Sequence, residues 1–247
     1  MEVFTPHLLA WCEATPLSPT MKIIFQNKDF IVVDKPAGLV VHSGVGTKEK
    51  TLVDFLAEKF PEIKNVGDDT GARPGIVHRL DKETSGVMIV ARNQKAFEYL
   101  KNLFKNRKIE KRYLALVHGK LKEKEGKIEG EMGRSRRDFR KQTLAKGKVI
   151  VRKERYSLTH YKVIKELDDY SLLEVFPKTG RMHQIRVHLH SIGHPIVGDQ
   201  KYTFKKFKKM NFPRMFLHAS EISFSSLDGK REKFSSPLPR DFFQYLD

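Results

Sequence analysis

Short β-type apolar runs, crowded together with few helical patterns between them, constrain this chain more than any other feature. KIIFQNKDFIVVDKP reads as two short strands joined by a turn at Gln26 to Asp29. VMIVA at 87–91 is a continuous buried run, and RYLALVH at 112–118 is another strand. YSLTHYKVIKEL, and YSLLEVFP after Asp168 and Asp169, read as a strand pair. Helical spacing occurs at Leu52, Phe55, Leu56 and Phe60 before Pro61, at Ala96, Leu100, Leu103 and Phe104, and at Ile185, Leu189 and Ile192 before Gly193 and Pro195. Strands that cluster in this way imply an α+β domain with a mixed, mainly antiparallel sheet. Residues 1–20 hold three prolines and little periodicity, so they read as an N-terminal extension to a domain spanning 21–247. Met21 offers an alternative start.

Hydrophobic residues make up 39% of the chain, enough for a real core and against a disordered composition. The net charge is +17, and it is concentrated. Between Lys95 and Arg155 stand 21 basic and 8 acidic residues, a surplus of 13 in a quarter of the chain. Such a field attracts polyanions, although a solvated basic face would look the same. The single cysteine, Cys12, excludes an internal disulfide framework and suits a reducing, cytoplasmic setting. No apolar run approaches the roughly 20 residues of a membrane span, so membrane association is not expected.

Two clusters carry the candidate chemistry. In His78-Arg79-Leu80-Asp81-Lys82-Glu83-Thr84-Ser85-Gly86 a charged turn precedes a buried strand, which can present Asp81 at a cleft. Alone, such an aspartate more often caps its own turn. In Lys178-Thr179-Gly180-Arg181-Met182-His183-Gln184-Ile185-Arg186-Val187-His188 two arginines and two histidines surround a helix start, which can grip an anion and turn Arg186 inward.

HRLDKETSG resembles the HRLDxxTSG motif of the RluA family of pseudouridine synthases. IIFQNKDFIVVDKPAGLVVH resembles that family's opening strands, KRYLALVHG its tyrosine motif, and TGRMHQIRVHLHSIGHPIVGDQKY its third motif and the segment after it. The matches stand in family order over roughly residues 23 to 240. The resemblance implies the pseudouridine synthase fold, its sheet in two lobes with an active-site cleft between them. It implies isomerisation of uridines in ribosomal or transfer RNA, by a monomer that needs no cofactor or metal. Asp81 matches the nucleophilic aspartate, Tyr113 the tyrosine that stacks on the base and is proposed to assist proton removal, and Arg186 the partner of the aspartate. Arg79 matches an arginine that handles the flipped nucleotide. His78, Thr84, Gly86, Gly180, Arg181 and Gln184 fill positions expected to hold the motif or face RNA. Only about 20 residues precede the opening strands, so the small N-terminal RNA-binding module that members often carry is expected to be absent. Arg134, Arg136, Arg137, Arg140 and Lys141 are then the candidates for gripping RNA.

Other readings are weaker. His183, His188, His190 and His194 lie close in sequence, but Gly193 and Pro195 end their helix and no cysteine joins them, so no metal site is expected. GVGTKEKT at 44–51 lacks the spacing of a phosphate loop. A non-catalytic RNA binder would not need Asp81, Tyr113 and Arg186 together. A glycosidase would want a second carboxylate as acid, and the motifs offer only Glu83, which is expected to face solvent.

Overall fold

The computed structural model describes residues 21–44, 49–136, 138–145 and 151–246. The N-terminal extension, Arg137 and part of GVGTKEKT lie outside the described residues. In chain order the strands are β1 Lys22–Gln26, β2 Phe30–Lys35, β3 Ser85–Ala91, β4 Glu110–His118, β5 Glu125–Ser135, β6 Gln142–Leu144, β7 Val151–Glu166, β8 Tyr170–Pro177, β9 Leu217–Ser225 and β10 Arg231–Ser235. The helices are α1 Leu52–Lys59, α2 Gln94–Lys105, α3 Gln184–Ser191 and α4 Arg240–Phe243.

Seven consecutive buried residues make β3 the spine of the first half of the fold. β3 pairs antiparallel with β2, and β2 with β1. Its other edge meets β9 in parallel at Ser85 and Gly86 alone. β9 continues antiparallel into β4, then β8, β7, β5 and β6, while β10 folds back on β9. Among the described residues all strands thus form one sheet rather than two separate ones. The two lobes expected from the sequence are two hydrophobic cores on that sheet.

Local chemistry fixes the helices that build these cores. Thr51 and Asp54 form a reciprocal capping box at the start of α1. Asn93 caps α2 by accepting from the Ala96 N–H at 2.9 Å. Ala96, Phe97, Leu100 and Leu103 form the buried stripe of α2, each larger side chain stabilising the fold by about 1.5–3 kcal/mol. The first core joins β1–β3, α1 and α2; the second joins β4, β5, β8 and α3. Phe242 and Leu246 seal a third cluster with Leu116 and Phe216, so the aromatic tail is structural.

Gly86 explains the seam between β3 and β9. At φ +114° a Cβ there would stand 2.2 Å from the Ala219 carbonyl oxygen, so only glycine permits the approach. Pro61 does end α1, and it also opens a 3₁₀ turn over Pro61–Asn65. β7 begins at Val151, earlier than its apolar pattern, because it follows polar β5 along the sheet. No helix among the described residues is long and apolar enough to cross a membrane.

Candidate active site

The Asp81 turn is held from beneath. Its backbone closes through the Thr84 N–H to the Asp81 carbonyl at 3.1 Å. Lys35, fully buried, donates to the carbonyls of Pro36, Leu39 and Lys82 at 2.8, 2.8 and 3.0 Å. One ammonium therefore fastens the DKPAG turn to the residue after Asp81. Nearby, His78 Nε2 accepts the Ile89 N–H at 3.1 Å and its ring stacks on Phe104. Burial, then the charge of Lys111, push His78 down to about 3, so it is neutral at pH 7.

With its turn closed by backbone, the Asp81 side chain is free for another partner. Arg186 Nη1 donates to Asp81 Oδ2 at 2.9 Å. The same guanidinium donates from Nε and Nη2 to both oxygens of Asp199 at 2.7 and 2.9 Å. Asp199 is buried and also accepts the N–H groups of Lys201 and Tyr202 at 2.8 and 2.9 Å. Tyr202 lies under the Arg186 guanidinium, 5.0 Å from its ring centre. Burial opposes the charge of Arg186, but Asp199 and Asp81 outweigh it and hold the group above its ordinary value. A permanent cation thus faces the Asp81 carboxylate.

His183 adds a second neighbour. It adopts a left-handed conformation, φ 58°, at the start of α3, with Nε2 3.9 Å from Asp81. Its Nδ1 and the Tyr202 hydroxyl are 2.8 Å apart. Burial pushes this imidazole down, against the pull of Asp81, so it is uncharged at pH 7. Arg107, also left-handed at φ 58°, follows α2, so two strained positions border one cleft.

That cleft has a volume of about 590 Å³. Asp81, Tyr113 and Arg186 all line it. Tyr113, on β4, packs against both hydrophobic cores and so sits at the seam of the two lobes. Burial, then the charge of Asp81, hold its phenol well above its usual value, which keeps the hydroxyl protonated. Asp81 is the one carboxylate among the described lining residues, against the cations Arg79, Lys105, Arg107, Lys111, Lys178, Arg181 and Arg186. The arrangement offers one carboxylate, a flat aromatic ring and a basic wall. It suits a reaction at an electrophilic carbon beside a planar, anionic-backbone ligand.

The structure redistributes the remaining expected residues. Arg79 is exposed at the mouth, 3.4 Å from the His42 ring. Arg181 lines the cleft while donating to the Tyr156 carbonyl at 3.0 Å. Gln184 lines the cleft but is buried: it accepts from Thr179 and the Arg181 N–H and donates to Leu158 and Thr159, so its amide holds the loop. Thr84, 2% exposed, and His78, whose ring accepts the Ile89 N–H and stacks on Phe104, both line the cleft beside the Asp81 turn. Arg134, Arg136, Arg140 and Lys141 do not line the cleft; they sit on the β5–β6 hairpin, and Arg140 pairs with Asp138 at 3.1 Å. That hairpin adjoins the site through the Gln142 N–H to the Tyr202 hydroxyl, 2.9 Å. The four histidines diverge, to Tyr202, Ser157, Phe204 and the His118 carbonyl, and form no metal-type group among the described residues. Glu83 is exposed and outside the cleft.

Sequence reading missed Asp199, Tyr202, Lys35 and Lys111. The first two lie in the matched GDQKY stretch, whose Gly198, at φ +77°, signals a special backbone and was the available cue.

Comparison with known proteins now adds to this geometry. The family profile described as RNA pseudouridylate synthase matches residues 29–191. The chain is 36% identical over 228 residues to an uncharacterised RNA pseudouridine synthase of Bacillus subtilis (strain 168), YlyB, covering 92% of this chain and 72% of that protein. It is 35% identical to the ribosomal large subunit pseudouridine synthase D of Blochmanniella floridana, covering 95% and 74%. In structure it is similar to human RNA pseudouridylate synthase domain containing 1, with a TM-score of 0.77, 28% identity, and 94% and 89% of the two chains covered.

Proposed function

The chain belongs to the RNA pseudouridylate synthase family and is an RNA pseudouridine synthase, an isomerase; from that premise we propose that Asp81 is its catalytic carboxylate. The observation that carries this reading is the 2.9 Å bond from Arg186 to an Asp81 that is alone among the described carboxylates in the cleft.

The reaction breaks the bond from uracil N1 to the ribose, turns the base, and rejoins it through C5. Asp81, held by Arg186, attacks the anomeric carbon or removes the proton beside it. Tyr113 stacks on the extruded base, a contact worth about 1–3 kcal/mol. Its raised phenol keeps it a neutral platform and hydrogen-bond donor in the resting site. Isomerisation is redox-neutral, and the residues named supply each role without a cofactor.

For the substrate we favour large-subunit ribosomal RNA over transfer RNA, supported by the names of two relatives, at 35% and 34% identity. Arg79, Arg181 and the β5–β6 hairpin are our candidates for RNA contact, the first two within the cleft and the hairpin beside it. We assign the enzyme to the cytoplasm, acting as a monomer. The test maps pseudouridine in total RNA from cells with the protein, without it, and with Asp81→Asn. One or more large-subunit sites should vanish in the last two. Unchanged maps, or losses confined to transfer RNA, would overturn the substrate assignment.

A further inference from the structure

Resting on the reading of Asp81 above, a second group in the cleft has no role so far. Lys111 lies two residues before Tyr113 on β4, so both point to the same face, while Arg112 turns away to Glu174 and Glu221. Same-face neighbours on a strand stand about 6.6 Å apart, close to the span of a pyrimidine and its carbonyls. Lys111 is half-buried and its ammonium makes no hydrogen bond or ion pair among the described residues. Burial alone pushes it down to about 8, whereas the charge of Asp81 is felt at Tyr113. Lys111, Tyr113 and Asp81 all line the one cleft. An unpartnered half-buried lysine disfavours the fold, which calls for a compensating task.

The chemistry supplies one. A glycosidic bond that breaks without an acid leaves negative charge on its base, and no second carboxylate lines this cleft among the described residues. We propose that Lys111 is a further catalytic residue: its ammonium bonds a carbonyl oxygen of the target uracil and stabilises the negative charge the base acquires on leaving the sugar. When the N1–C1′ bond breaks, its electron pair stays on the base and spreads over N1 and the carbonyl oxygens. C1′ gains a bond to an Asp81 oxygen, or C2′ gives its proton to that oxygen. Either way the base departs as an anion, and Lys111 keeps its own proton. After rotation C5 supplies the pair for the new bond to C1′. The Asp81 oxygen then leaves, or C2′ takes its proton back. Finally C5 loses its proton and N1 gains one.

The test is single-turnover pseudouridine formation on in vitro transcribed large-subunit ribosomal RNA at saturating enzyme, with RNA affinity and melting temperature measured alongside. Lys111→Met should slow the chemical step about a hundred-fold with little change in affinity, and should melt higher than wild type. Lys111→Arg should recover part of the rate. With 5-fluorouridine at the target, whose base leaves as a weaker base but whose C5 has no proton to lose, consumption of the target nucleoside is followed instead, and the Lys111→Met loss should shrink about ten-fold. A wild-type rate, a loss confined to RNA affinity, or a fluorine-independent loss would overturn the role of Lys111. Wild-type enzyme that forms no product would instead overturn the parent reading of the site.

Discussion

Asp199 grips Arg186 through two parallel hydrogen bonds of 2.7 and 2.9 Å, which leaves one Nη1–H directed at Asp81. The Asp81 carboxylate is thus aimed, through Arg186, by a residue that does not line the cleft. Asp199→Ala should destabilise the protein by about 3–5 kcal/mol, because it strands a half-buried guanidinium and two N–H groups. Denaturant melts check this. Asp199→Asn should cost less stability yet still slow the chemical step, since only one oxygen remains to face the fork.

Lys35→Met should remove three hydrogen bonds beneath the Asp81 turn, stripping the Pro36 and Leu39 carbonyls of this donor while the Lys82 carbonyl keeps the Gly38 N–H, at a cost of about 3 kcal/mol. Hydrogen exchange should rise first at Lys82 to Thr84. An unchanged melting temperature would contradict the fastening role.

The pH dependence has a defined sign at Lys111. Its ammonium sits near 8 in the folded chain against 10.5 when unfolded, with burial as the cause. Between those values the unfolded chain holds the extra proton, so this group makes stability rise with pH, and its penalty is full below 8. Lys111→Met should therefore melt above wild type at pH 7, with the gain fading towards pH 10.5. In activity, wild type should fall as pH passes about 8 and the variant should lack that fall. His78 and His183 are both pushed down by burial, Tyr113 is pushed up, and Arg107 and Lys105 share the cleft. Lys35, pushed to about 7 by burial, titrates nearby in both proteins, so the difference between the two profiles isolates Lys111.

Neutralising Arg134, Arg136, Arg140 and Lys141 together should weaken RNA binding and flatten its salt dependence, by about 0.7–0.9 in slope per lost phosphate contact. None of the four lines the cleft, so the rate at saturating RNA should hold. A collapse of the chemical step with affinity intact would contradict this division.

The strands were legible because their apolar runs coincide with buried positions, as in VMIVA of β3. The contact of Asp81 with Arg186 across 105 residues was legible only through motif resemblance, since no local pattern brings them together. Asp199 was not legible: an aspartate after a glycine turn looks like any surface turn until the fold buries it against Arg186. Gln184 shows the converse, where a polar residue in a motif serves the backbone because burial demands it. The single continuous sheet was hidden too, because the short parallel seam of β3 and β9 joins residues 85 and 218.

Asp81→Asn tests the central claim most directly. The substitution keeps the shape and one acceptor for Arg186 but removes the nucleophile and base. In single-turnover assays on large-subunit ribosomal RNA the variant should bind with near wild-type affinity and form no measurable pseudouridine. Product formation at a rate comparable to wild type would contradict the assignment of Asp81.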